Sequence, residues 1–355
     1  MKLDYDYLTT GGLAEAFASR DQPDLFSTWS PVLAQRNVCL TMLAGSGSRW
    51  VASLEESQAA GKNAGVDPAA PRGLYPVPNA MGWGPDPVPI AGYALAAVRD
   101  LGRHVVVVRG WEQEITERIL KPLGYAPGSW VFMTQDAPGG KPRGHGDAAY
   151  QSMPSWVDSD YVLVNFGGDA SSPLTALASL CVMATLTEEL GDDAPDLLMP
   201  AAFAKEPAYP IAVDAQGLPR RFGHAKLSGS HNAALDTTVA SQGGWAYTNV
   251  GVRLYRASAL RDAILRIRSA YWTAEHGYAI PGNDPDGGEF ALDNVDAVFA
   301  SEGRARLLAV ARPEELSPVK SVADLQRFGR DIKVVCGDWP VAASYSNKGF
   351  GLEKK

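Results

Sequence analysis

Asn37-Val38-Cys39-Leu40-Thr41-Met42-Leu43-Ala44 is a short apolar run that ends in Gly45-Ser46-Gly47-Ser48-Arg49. A run of this kind meeting a glycine-rich segment reads as a buried strand feeding a tight turn. A second one, 161–164, enters Asn165-Phe166-Gly167-Gly168-Asp169 and is followed by a helical stretch over 172–190. Between them helix and strand alternate: helix 93–101, strand 104–108, helix 111–120, strand 130–134, and a helix beginning near Asp147. This rhythm predicts an α/β fold with a mainly parallel sheet flanked by helices and sites at the carboxyl ends of its strands. Downstream, 209–213, the turn Asp214-Ala215-Gln216-Gly217 and 247–255 predict a smaller mixed or antiparallel β portion that covers substrate. Helices are expected over 257–270, 289–301 and 322–328, with a closing strand over 332–336. Leu13, Ala16 and Phe17 at helical spacing mark a lead-in over 1–36; 37–328 reads as one catalytic unit and 329–355 as a tail.

Composition narrows the chemistry. With 355 residues, 46% of them hydrophobic, the chain can bury a large core. Its 32 Lys+Arg against 40 Asp+Glu give a net charge of −8, the wrong sign for wrapping nucleic acid, so no nucleic-acid partner is expected. Cys39, Cys181 and Cys336 are far apart and form no C-x-x-C pair, which signals neither a disulfide framework nor a zinc ribbon and fits a reducing cytoplasm. The opening MKLDYDYLTT carries acids where a signal peptide needs basic residues. No apolar stretch reaches the roughly 18 residues of a spanning helix, so no membrane association is expected, while a homo-oligomer stays open. G-x-S-x-G and H-E-x-x-H are absent, Trp50 stands where a dinucleotide fingerprint would place its third glycine, and Gly61-Lys62-Asn63 lacks the earlier glycine of a P-loop.

Three features carry the remaining signal. Leu43, Ala44, Gly45 and Gly47 form a turn whose backbone N–H groups can curl around phosphate oxygens, with Arg49 as a cation; a plain strand-to-helix turn is the competing reading. Asp169 is an acid delivered at a strand's carboxyl end, where a hard cation such as Mg2+ takes one or two carboxylates plus phosphate oxygens; alternatively it caps the next helix. Arg143-Gly144-His145-Gly146-Asp147 places glycines around a histidine, where backbone can approach a flat ligand, and Gln135 offers the paired donor and acceptor that read a base edge. In isolation His145 reads as a turn residue.

In this order the features resemble the sugar-phosphate nucleotidyltransferases, or nucleotide-sugar pyrophosphorylases, over roughly residues 37–328. The opening is similar to that family's Leu-x-x-Gly-x-Gly-Thr/Ser-Arg loop, with Pro71-Arg72 where proline-lysine is usual. Gly144-His145-Gly146-Asp147 and Ser317-Pro318-Val319-Lys320 with Ala323-Asp324-Leu325 resemble segments of UTP–glucose-1-phosphate uridylyltransferases. Asn249-Val250-Gly251 matches the Asn-x-Gly strand that meets the sugar, and Glu289-Phe290-Ala291-Leu292-Asp293 resembles the Glu-Tyr-x-Leu-Thr-Asp helix.

The resemblance implies a GT-A-like, Rossmann-like fold, an NTP substrate with UTP favoured over ATP or GTP, and a sugar 1-phosphate or cyclitol phosphate acceptor. It implies Arg49, Arg72 and Lys320 as catalytic cations, the Gly45–Arg49 loop on the triphosphate, and Gln135, Gly144, His145 and Gly146 at the base. Gly217, Asn249 and Glu289 would meet the sugar, Lys226 would reach the acceptor phosphate, and Asp169 would hold Mg2+ together with Asp324, which alternatively caps its helix. Phe222-Gly223-His224-Ala225-Lys226 departs from the family, which shows a sugar-binding glutamate there. A GT-A glycosyltransferase and a catalytically weakened nucleotide-binding regulatory protein are the alternatives.

Overall fold

A computed structural model describes residues 31–45, 48–62, 66–80, 86–137, 142–207, 209–223, 235, 237–241, 243–281, 283, 288–309, 313–316 and 318–336. The expected lead-in lies outside these except for 31–36, which are helical. The first half of the chain runs β1 (Asn37–Met42), α1 (Ser48–Ala59), β2 (Pro76–Val77), β3 (Val88–Pro89), α2 (Ile90–Val98), β4 (Arg103–Val108), α3 (Glu112–Ile115), β5 (Trp130–Thr134), α4 (His145–Gln151), β6 (Tyr161–Phe166) and α5 (Pro173–Leu190). The second runs β7 (Leu197–Lys205), β8 (Pro210–Val213), β9 (Pro219–Phe222), β10 (Trp245–Asn249), β11 (Val252–Arg256), α6 (Ala257–Tyr271), β12 (Trp272–Thr273), β13 (Gly277–Tyr278), α7 (Leu292–Ser301), β14 (Ala305–Ala309) and α8 (Asp324–Cys336).

The main sheet has the order β5-β4-β1-β6-β11-β7-β10-β8-β9, with β14 also on β7. Its first four strands are parallel, as apolar runs joined through helices require. From β11 onward the pairings with β6, β7, β10, β8 and β9 are antiparallel, and β14 returns parallel to β7. The fold is therefore α/β with a mixed central sheet flanked by helices. On one face Val38, Leu40, Val162 and Val164 pack with Leu260 and Ile264 of α6 and Val295 and Phe299 of α7. On the other, Cys39, Leu163 and Leu254 meet Val98 of α2 and Leu180 and Met183 of α5. No helix among the described residues is long and apolar enough to cross a membrane.

Several expectations are corrected. Residues 332–336 are not a strand: α8 continues through them, because Phe328, Ile332 and Val335 recur at helical spacing and are buried against Trp50, Leu54 and Tyr93. Burial of each is worth roughly 1.5–3 kcal/mol, so this helix belongs to the core although it extends past residue 328. The helix expected from Glu289 starts at Leu292, with Ala291 in an extended N-cap conformation. β7 and β14 were not anticipated; Leu197-Leu198-Met199-Pro200-Ala201-Ala202 carries a proline and no β-branched residue, yet it is almost wholly buried.

His104 in β4 is buried, with Nε2 donating to the Arg99 carbonyl at 2.7 Å. Burial lowers its pKa from 6.5 to about 4, against the raising effect of that hydrogen bond. The unfolded chain thus binds this proton more readily, so the stability associated with a neutral His104 is complete above about pH 6.5 and is lost as pH falls towards 4. The effect amounts to roughly 3 kcal/mol. Urea unfolding of wild type and His104→Gln between these pH values should show a shallower decline for the variant; parallel declines would contradict the assignment.

Candidate active site

Arg72, Asp169 and Lys320, far apart in sequence, meet at the carboxyl end of β6. The Asp169 N–H donates to the Phe166 carbonyl at 3.0 Å, closing a turn that leaves the carboxyl group 11% exposed. Arg72 Nη2 lies 3.7 Å and Lys320 Nζ 3.6 Å from the same Asp169 Oδ1. That oxygen is buried and accepts no hydrogen bond from any described residue.

Close backbone approach makes this convergence feasible. A Cβ on Gly73 would sit 2.5 Å from Leu43 Cδ2, and one on Gly168 would collide with the Arg72 guanidinium. Lys320 arrives on a segment fixed at both sides: the Val319 N–H donates to the Gly168 carbonyl at 3.2 Å, and the Val322 N–H to Ser53 Oγ of α1 at 3.0 Å. Asp324, expected as a metal ligand or a helix cap, is seen here holding the preceding turn. Its Oδ2 accepts the Lys320 N–H at 2.9 Å, the Ser321 N–H at 2.8 Å and the Ser321 hydroxyl at 3.0 Å, so it shapes the turn that presents Lys320.

Gly251 borders the same acid. Gly251 has φ +81°, and a Cβ there would stand 3.0 Å from Asp169 Oδ2, so both conformation and space favour glycine. Asn249 Oδ1 accepts the Gly251 N–H at 3.2 Å and holds this turn. Gly217 is accounted for by the β8–β9 hairpin, where it has φ +76° and donates to the Asp214 carbonyl at 3.0 Å. Glu289 precedes α7, its carbonyl accepting from Asn283 Nδ2 at 3.1 Å. Lys226 lies outside the described residues.

The glycines around His145 serve the protein's own packing where a flat ligand was expected. A Cβ on Gly144 would strike the Phe290 carbonyl, one on Gly146 would lie 2.8 Å from the Phe290 ring, and the Gly146 N–H donates to the Phe290 carbonyl at 2.8 Å. Gln135 is buried and its Nε2 donates to the Gly144 carbonyl at 3.0 Å, so its amide donor braces this loop. His145 Nδ1 accepts the Leu292 N–H at 2.9 Å, its Nε2 is 3.6 Å from Asp293 Oδ2, and its ring stands edge-on to Phe166 with centroids 5.2 Å apart.

Beneath His145 lies a charged network that sequence reasoning missed. Arg253 Nη2 donates to Asp293 Oδ1 at 3.0 Å, Arg253 Nη1 is 2.8 Å from Asp296 Oδ2, and the Tyr255 hydroxyl donates to Asp296 Oδ1 at 2.7 Å. All four residues are buried. Burial pushes the Asp296 carboxyl up to about 7, against the pull of Arg253. The available signal was an arginine inside the apolar strand Val252–Arg256 and two acids three residues apart in one helix, hence on one face.

Of the predicted phosphate loop, Leu43 and Ala44 are buried at the end of β1, and the Leu43 N–H donates to the Val107 carbonyl at 2.8 Å. Nothing stands within 4 Å of a Cβ built on Gly45. Ser46 and Gly47 lie outside the described residues, and Arg49 is in the first turn of α1.

No protein-family model matches the chain, and no curated protein matches it. The chemical assignment therefore rests on the site. Among the described residues no group of three or more His, Cys, Asp or Glu side chains is placed to hold a metal ion. A buried carboxylate oxygen without a hydrogen bond nonetheless suits Mg2+, which binds through one or two carboxylates and completes its shell with water and substrate phosphate. Asp169 is the residue that fits.

Proposed function

We propose that this chain is a Mg2+-dependent nucleotidyltransferase of GT-A-like fold, joining an NTP to a sugar 1-phosphate or cyclitol phosphate and releasing pyrophosphate. The observation that carries the reading is the Asp169 Oδ1 atom, buried, without a hydrogen bond, and set between Arg72 and Lys320. Two cations around one acid, at the carboxyl edge of a sheet, suit a substrate pair with several negative charges.

In such a reaction an acceptor phosphate oxygen attacks the α-phosphorus in line, and the bond to the pyrophosphate oxygen breaks. No protein nucleophile is needed, so the side chains position reactants and offset charge. Lys320 faces the acceptor phosphate, Arg72 faces the departing pyrophosphate, and the loop from Gly45 receives the triphosphate on backbone N–H groups. Asn249 and Gly251 border the sugar, and the antiparallel strands β8 to β10 form the cover. Mg2+ held by Asp169 supplies charge neutralisation at the reacting phosphates.

The deciding experiment follows pyrophosphate release with each of four NTPs against sugar 1-phosphates and cyclitol phosphates, with and without Mg2+. Release that needs both metal and acceptor, with UTP the best donor, is expected. Transfer from a ready-made nucleotide sugar without NTP turnover would instead identify a glycosyltransferase, and NTP binding without turnover a regulatory protein. In the same assay Arg72→Lys should keep measurable activity, because either cation meets a phosphate, while Arg72→Ala should lose about 10-fold or more. Wild-type turnover in Arg72→Ala would remove Arg72 from the pyrophosphate end.

A further inference from the structure

Asp169 Oδ1 is a contested oxygen. Arg72 Nη2 and Lys320 Nζ stand 3.7 and 3.6 Å from it, two positive charges against one negative. Any ion that ligates Oδ1 shares it with both, well inside the ~8 Å over which physiological salt screens. Water screens them little as well, since the side chains of Asp169, Arg72 and Lys320 are 11%, 16% and 30% exposed. Asp324 does not offset the surplus: its Oδ2 is taken by the Lys320 and Ser321 N–H groups, and its Oδ1 lies 3.3 Å from Arg327. Among the described residues no group of three or more His, Cys, Asp or Glu side chains is placed to hold a metal ion.

The backbone that presents each cation is pinned. Arg72 opens a tight turn in which the Leu74 N–H donates to the Pro71 carbonyl at 2.9 Å and the Tyr75 N–H to the Arg72 carbonyl at 3.0 Å. Its guanidinium lies so close over Gly168 that a Cβ there would overlap it. Lys320 is flanked by the Val319 N–H bond to the Gly168 carbonyl and by the Val322 N–H bond to Ser53 Oγ. The surplus positive charge is therefore built into the site, and an added anion is what cancels it.

We infer that Arg72 and Lys320 withhold Asp169 from a divalent cation alone and yield it to one accompanied by a polyphosphate. Two or more linked phosphates carry enough negative charge to reverse the sign of the site from the Arg72 side, with Lys320 left for the acceptor phosphate. The acid and the phosphate oxygens then attract the metal together, so metal and polyphosphate each tighten the binding of the other. The exclusion of the lone metal follows from the two ion pairs; the choice of a polyphosphate rests on the nucleotidyltransferase reading.

Binding to the full-length protein, without turnover, is the test. Electron paramagnetic resonance of free Mn2+ gives metal affinity in the absence of phosphate, with Asp169→Asn titrated alongside to subtract ions held elsewhere on a chain of net charge −8. Lys320→Gln and Arg72→Gln, which keep apolar stems, should each tighten the Asp169-dependent binding by on the order of 10-fold over wild type. Equal affinity in wild type and variants, or no Asp169-dependent binding in any of them, overturns the inference. Should one variant fail to fold, the other decides. Calorimetry with inorganic tripolyphosphate supplies the converse. In EDTA, Asp169→Asn should bind this anion on the order of 10-fold more tightly than wild type, because the acid that competes for the cations is gone; in excess Mg2+ the order should reverse. Equal or weaker binding by Asp169→Asn in EDTA overturns the inference. Tripolyphosphate that binds no form, beside the expected Mn2+ result, would discard the polyphosphate together with the nucleotidyltransferase reading and leave the exclusion of the lone metal standing. The expected binding without NTP turnover for any acceptor would discard that reading alone.

Discussion

Asp169→Asn is expected to leave a folded protein whose turnover falls by at least ~100-fold. The amide preserves the shape of the side chain, and the Asp169 N–H bond to the Phe166 carbonyl does not depend on the carboxylate. What changes is charge: Arg72 and Lys320, 3.7 and 3.6 Å from Oδ1, lose the anion between them, and a neutral amide oxygen is a poor ligand for a hard cation. Steady-state rates over a Mg2+ titration, with circular dichroism to confirm folding, measure the effect. Near-normal turnover at saturating Mg2+ would remove Asp169 from the metal site.

Lys320→Ala should reduce turnover by on the order of 10²-fold and weaken acceptor use, while NTP affinity stays within a few-fold. The backbone that carries this lysine is held independently of its side chain, by Asp324 at the Lys320 and Ser321 N–H groups and by Ser53 at Val322. Truncation to alanine therefore removes the ammonium group without releasing the segment. Calorimetry with NTP, beside kinetics over acceptor concentration, separates the outcomes. Unchanged kinetics would mark Lys320 as a solvated surface residue, and a loss confined to NTP binding would place it at the triphosphate end.

The parallel half of the fold was readable because its strands are apolar on both faces and alternate with helices, so pattern and pairing agree. β7 escaped notice since Pro200, Ala202 and Ala204 carry little strand preference; its burial comes from partners on either side. The run Ile332-Lys333-Val334-Val335-Cys336 misled for the opposite reason, being locally strand-like while Phe328, Ile332 and Val335 together obey a helical period. Within the candidate site, Arg72, Asp169 and Lys320 were identifiable one at a time, but their shared approach to one oxygen is a tertiary fact. The Arg253–Asp293–Asp296 network joins a strand to a helix about 40 residues later, a pairing no local pattern encodes.

The mounting of Lys320 also sets a timetable. Asp169 leaves the ribosome well before Lys320, and at ordinary elongation rates of ~5–20 residues per second the interval is roughly 8–30 s. Until then the growing chain can pair β1, β4, β5 and β6, all of which precede Asp169, yet it has only one of the two cations that face that acid. The Val319 link to Gly168 becomes possible at the same stage, and the docking of α8 on Trp50 and Leu54 comes later still. Under the proposed function, a nascent chain with its parallel strands in place still lacks one of the two cations, and the site is completed only when the segment carrying Lys320 reaches back to a helix made much earlier.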